Sequence, residues 1–253
     1  MLRPTLRSAA LSIFAFSVFS AAPCFAVSKD FTQSFPLTPS GSFELQNVNG
    51  PVEVQGWDRN EVEIHAVKIA KESQVDVDRV SIEVDANPAQ VSVVTRYPQN
   101  EGVSVAVEYT VHIPHTAHLG HIGTVNGTLK ISGVEDVGDL HTVNGNIEVY
   151  EGAGNVRAHT VNGNVHLELL HFSDNGMEAE TTNGSVLLAV PADTRANLEA
   201  RSMNGSFYSE LPLSLESSLR PREMRGRYGK GGAPMKLNTV NGGIQVMILR
   251  STV

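Results

Sequence analysis

The chain is poor in the residues that staple, react and anchor. Its 253 residues include one cysteine, Cys24, one tryptophan, Trp57, and only 6% aromatics. A single thiol excludes a disulfide framework and cysteine-based metal sites. After residue 26 no apolar run approaches the ~20 residues that a helical membrane span requires. Basic side chains are in deficit, giving a net charge of −8. That balance argues against nucleic acid and anionic membrane surfaces as partners. There is no G-x-S-x-G, no H-E-x-x-H and no Gly-Lys-Ser/Thr phosphate loop. The chain therefore offers no catalytic signature, and no cofactor is expected.

What is present begins with a leader-like start. Arg3 and Arg7 precede an uninterrupted apolar and small run, residues 9–22, and then Cys24-Phe25-Ala26. This order predicts an export signal over residues 1–26. Cleavage there would remove the cysteine and leave 17 basic against 27 acidic side chains, a net of −10. The mature chain is expected to be periplasmic or at the cell surface, with no span left in the membrane.

The remainder is organised by a repeat. Seven Asn-Gly pairs share one frame: Asn49-Gly50, Asn126-Gly127, Asn144-Gly145, Asn162-Gly163, Asn183-Gly184, Asn204-Gly205 and Asn241-Gly242. From Asn126 onward the intervals are 18, 18, 21, 21 and 37 residues. Four of the pairs follow Thr-Val. With the Thr or Ser two places before Asn as zero, position +5 holds Leu129, Ile147, Val165, Val186, Phe207 and Ile244. Position −2 holds Ile122, Leu140, Ala158, Ala179, Ala200 and Leu237. Apolar residues alternate on both sides of Asn-Gly, which is strand periodicity.

Two all-β folds fit. In a meander each Asn-Gly closes a hairpin; in a β-solenoid each coil stacks on the one before. A meander would leave a long apolar face with no amphipathic helix to cover it. It also gives no reason for the identical Thr and Val. Stacked coils give one, because like side chains become neighbours and asparagine amides can bond along a column. The expectation is a parallel β-helix-like solenoid of 18–21-residue coils over residues 119–253. A β-rich cap over 27–118 would cover its first coil. A basic insertion at about 214–236 explains the long last interval.

Three groups of residues are candidates for function. The Asn-Gly corners are structural. His141 and His159 occupy position −1 in successive coils, followed by Glu180. Stacking would bring two imidazoles and a carboxylate into one row, a metal-ligand set or simply a surface ladder. The insertion carries Arg220, Arg222, Arg225 and Arg227, either an anion contact or a solvated loop. At position −3, His121, Asp139, Arg157, Glu178, Glu199 and Lys236 alternate in charge except for Glu178 and Glu199.

The serial T-V-N-G-x-I/V-x-V units resemble the bacterial DUF4097 family of candidate adhesins. So do the early NVNGPVEVQGWD, the strand VEYTVHIP before the repeats, and TTNGSVLLAVPADTRANLEARSMNGSF. The resemblance spans roughly residues 40–253. It implies an exported, envelope-associated β-solenoid without established catalytic residues, and supplies no binding residues. The function expected is a non-catalytic scaffold that binds an envelope macromolecule or glycan. The alternatives are a polysaccharide-active β-helix enzyme and a metal- or ligand-sensing periplasmic domain.

Overall fold

The structure, a computed structural model, describes residues 27–70, 74–98, 102–215 and 222–250. The leader at 1–26 and Arg220 lie outside the described residues.

Each repeat folds as the alternation dictates, one strand before Asn-Gly and one after. Asp136–His141 is followed by Ile147–Gly152, Arg157–Asn162 by Val165–Leu169, and Met177–Asn183 by Val186–Val190. Strands before the corner join a leading sheet of 11 strands among the described residues, and those after it a trailing sheet of 10. Within the repeats the pairing is parallel and in frame. Leu140 lies opposite Ala158, which lies opposite Ala179. Ile147 lies opposite Val165, which lies opposite Val186. The chain is thus a β-solenoid. Its core lies between the sheets, where positions −2 and +5 of the central coils are fully buried. Each Leu or Ile there contributes about 1.5–3 kcal/mol, so these columns supply most of the stability.

The first coil lies earlier than the regular repeats. Ser42–Gln46 and Val52–Trp57 flank Asn49-Gly50 and pair in parallel with His118–Gly123 and Leu129–Ser132. Beyond it the strands turn antiparallel. Glu61–Ala70 pairs with Val105–Pro114 and Val27–Pro36 on one sheet, and Ser81–Asn87 with Gln90–Arg96 on the other.

The far end departs from chain order. Ala233–Asn241 pairs with Met177–Asn183 on one side and Ala196–Asn204 on the other. Ile244–Ile248 likewise sits between Val186–Val190 and Phe207–Ser209. The last coil in sequence is therefore inserted between the two that precede it. The basic insertion makes this return, and its described part is largely strand. Glu223–Tyr228 pairs antiparallel with Ala196–Asn204 and Leu213–Leu215, closing that end of the leading sheet. Burial of Tyr228 at 1% exposure anchors it.

Candidate functional site

The Asn-Gly corner is a continuous ridge. Its amides form one ladder: Asn126 Nδ2 donates to Asn49 Oδ1 at 2.7 Å, Asn144 to Asn126 at 2.8 Å and Asn162 to Asn144 at 2.9 Å. Asn183 donates to Asn162, Asn241 to Asn183 and Asn204 to Asn241, each at 2.8 Å. Beneath it, each position-zero hydroxyl donates to the glycine carbonyl of the neighbouring coil. Thr142 Oγ1 reaches Gly127 O at 3.0 Å, Thr160 reaches Gly145 O at 2.9 Å and Thr239 reaches Gly184 O at 2.8 Å. Ser202 does the same to Gly242 at 3.0 Å. In the first coil the neighbour is a plain strand, Val105–Pro114, and Asn47 replaces threonine. Its Nδ2 reaches Val107 O at 2.8 Å.

The glycines are there for contact. A Cβ at Gly145 would lie 2.0 Å from Gly127 O, and one at Gly163 would lie 1.9 Å from Gly145 O. Neither residue has a left-handed φ, so the corner is no hairpin turn. An eighth pair, Asn175-Gly176, falls outside the frame at the opposite corner, and there Gly176 does have φ 86°. Position +1 stays in solvent, with Val125 and Val161 each 39% exposed.

The outer face of the leading sheet is a ladder of alternating charge. Asp139 pairs in register with Arg157, Arg157 with Glu178, Glu178 with Lys236, Lys236 with Glu199 and Glu199 with Arg225. The like pair anticipated from sequence, Glu178 and Glu199, does not exist, because the returning coil puts Lys236 between them. Arg157 reaches Asp139 at 3.3 Å and Arg225 reaches Glu199 at 3.3 Å.

His141, His159 and Glu180 do stack in one row, with His159 Nδ1 3.4 Å from Glu180. The His121 ring joins the row, since its Nε2 lies 3.0 Å from where a Cβ on Gly123 would be. Partial burial, then the neighbouring His159 and His121, lowers the His141 pKa below the usual imidazole value. Among the described residues no group of three or more His, Cys, Asp or Glu is placed to hold a metal ion. The row runs along the sheet without converging on a point.

The arginines of the insertion separate. Arg225 is engaged by Glu223 and Glu199. Arg227 is exposed on the same strand, and Arg222, with φ 75°, lines a small cavity beside Glu223 and Phe207. Carboxylates thus interleave with the described part of this basic patch.

Further surface groups come together only in the folded chain. On the trailing sheet Lys130 Nζ lies 2.8 Å from Glu53, whose pKa is lowered first by that hydrogen bond. Tyr150 packs edge-on to His166 at 5.3 Å, and Trp57 stacks on His112 at 5.0 Å. On the leading sheet a cavity of about 290 Å³ is lined by His118, His121, Asp136 and Asp139. Its signal in the sequence is HLGH at 118–121 and DVGD at 136–139, one coil apart.

A family model described as Toastrack DUF4097 matches residues 32–247. No curated protein matches the chain. Among solved structures, it is similar to a candidate cell adhesion protein from Clostridium sporogenes, at 12% identity over 87% of this chain and 100% of that one, TM-score 0.48. A candidate adhesin from Bacteroides fragilis is similar at 12% identity over 87% and 97%, TM-score 0.40.

Proposed function

The chain belongs to the Toastrack DUF4097 family, and on that premise we propose that it is an exported, non-catalytic, adhesin-like scaffold of the cell envelope. Its stacked sheet faces present polar side chains to another macromolecule or glycan, with affinity summed over many weak contacts. The observation that carries this reading is the unbroken ladder from Asn49 to Asn204. It holds seven coils at one spacing, so a partner meets equivalent groups at each step along the axis. The display body comprises the repeats of residues 119–253 together with the first coil at 42–57, which lies inside the 27–118 region expected to be wholly cap, and the antiparallel strands beyond that coil end the body. Export rests on the leader at 1–26, and no helix among the described residues is long and apolar enough to cross a membrane.

Intact envelopes incubated with a chain lacking residues 1–26 provide the test. Saturable retention without release of new reducing ends or unsaturated sugar products is expected. Sustained turnover of envelope glycan would replace the scaffold reading with a polysaccharide-active one, and absence of retention would end both.

A further inference from the structure

We propose that the groove along the outer face of the leading sheet binds a linear, neutral, hydroxyl-rich glycan lying parallel to the solenoid axis. This inference rests on the scaffold reading and gives it a place and a ligand class.

The groove is made by a stacked irregularity. Between the leading strands of the first two coils, Phe43 to Leu45 spans two residues where Leu119 to Ile122 spans three, so Gly120 and His121 both face outward. The next coil copies it. Val137 pairs with Leu119 and Leu140 with Ile122, leaving Gly138 and Asp139 outward. Such bulges re-aim side chains at functional surfaces. Here they pave the floor with glycine. A Cβ on Gly138 would meet Leu119 O at 2.7 Å, and one on Gly120 would meet Glu44 at 3.1 Å.

The walls are in-register pairs. His118 Nδ1 lies 2.9 Å from Asp136 Oδ2, and Asp139 lies opposite His121. This cavity of about 290 Å³ shares Asn155 and Arg157 with a second of about 200 Å³ that runs on past Asn175 and Glu178 to Lys236. From Glu44 in the first coil to Lys236 in the sixth the groove crosses five spacings, roughly 24 Å at ~4.8 Å each.

Three features select the ligand. Every strand beneath the groove is paired on both sides, so a peptide has no backbone edge to extend. The lining mixes carboxylates, amides, imidazoles and two cations, which serves hydroxyl groups that both donate and accept. Carboxylates outnumber cations, Glu44, Asp136, Asp139 and Glu178 against Arg157 and Lys236, which repels a polyanion. An extended β-1,4-linked sugar chain also advances by nearly one coil spacing per residue, so successive units of such a chain meet successive coils.

The test is calorimetry and affinity electrophoresis of the mature chain with cellohexaose, chitohexaose and their dimers. Alginate and polylysine serve as polyanion and polycation controls. A neutral hexaose is expected to bind about tenfold more tightly than its dimer, with little salt dependence. Asn155→Ala with Arg157→Ala is expected to weaken binding at least about fivefold at an unchanged melting temperature. Tyr150→Ala with His166→Ala, on the opposite face, should leave it intact. The groove assignment is overturned if neither hexaose binds, if polylysine alone binds, or if only the opposite-face variant loses binding. Undiminished retention of the Asn155/Arg157 variant on envelopes would overturn the groove and leave the scaffold standing. Loss of retention by the unaltered chain would remove the scaffold itself.

Discussion

Replacing Gly145 by alanine separates stacking from turn chemistry. Gly145 does not have a left-handed φ, so alanine can adopt its backbone conformation without local strain. In a turn-only view the change is harmless, and it gains about 0.4–1 kcal/mol by restricting the unfolded chain. In the solenoid the new Cβ would stand 2.0 Å from Gly127 O and 2.5 Å from its carbonyl carbon. Both are backbone atoms and cannot swing away. Relief requires parting two coils locally, which stretches Gly127 N to Asn144 O, Leu129 N to Asn146 O and the Asn144–Asn126 amide bond. Three such bonds at about 0.5–1.5 kcal/mol each give a destabilisation of about 1.5–4.5 kcal/mol. Gly102→Ala is the control, since a Cβ there meets nothing within 4 Å. Urea unfolding at 25 °C reads both. A Gly145→Ala midpoint equal to or above that of Gly102→Ala would refute the close approach of the coils.

Three further outcomes are expected. Thr142→Val keeps the shape but leaves the Gly127 carbonyl without its 3.0 Å donor, costing about 1–3 kcal/mol, whereas Thr142→Ser keeps the bond; equal urea stabilities for Val and the parent would contradict the hydroxyl's role. Lys236→Glu puts a third carboxylate between Glu178 and Glu199 and should cost about 0.2–1 kcal/mol at low salt, fading at high salt, while no effect at low salt would speak against the inserted coil. Because the His141 pKa is depressed in the folded state, its neutral form contributes stability at pH above the ordinary imidazole value of about 6.5, and this is lost as pH falls through the lower folded value; a pH–stability profile unchanged in this window by His141→Gln would show that the residue is not the cause.

The parts of this fold that repeat locally could be read from sequence. Leu140, Ala158 and Ala179 announce one buried column, and Asn126, Asn144 and Asn162 announce the amide ladder, because stacking turns equal position into contact. The order of coils could not be read that way. Nothing near Ala233 says that its strand docks between Met177–Asn183 and Ala196–Asn204, since that choice is made by long-range pairing. The one local trace was the apparent clash of Glu178 with Glu199, a conflict that disappears once Lys236 intervenes. The role of glycine was also hidden. Asn-Gly is a hairpin signal, yet here glycine answers to the carbonyl of the next coil. The groove escaped because a bulge breaks alternation, so His118 and His121 look out of phase until Asp136 and Asp139 are laid beside them. The row of His141, His159 and Glu180 was legible as a row, but its failure to converge depends on side-chain directions that spacing does not give.

The inserted order of stacked coils is tested most directly by spin-label distances along the Asn-Gly ridge. With residues 1–26 removed, labels on cysteines replacing Val125 and Met203 should be separated by five coil spacings, about 24 Å. Labels replacing Val125 and Val240 should be separated by four, about 19 Å. The pair ending at 203 is expected to be the longer by one spacing, although 240 lies further along the chain. The reverse order would mean that the coils stack simply in sequence, and distances that do not scale with coil number would contradict the solenoid altogether.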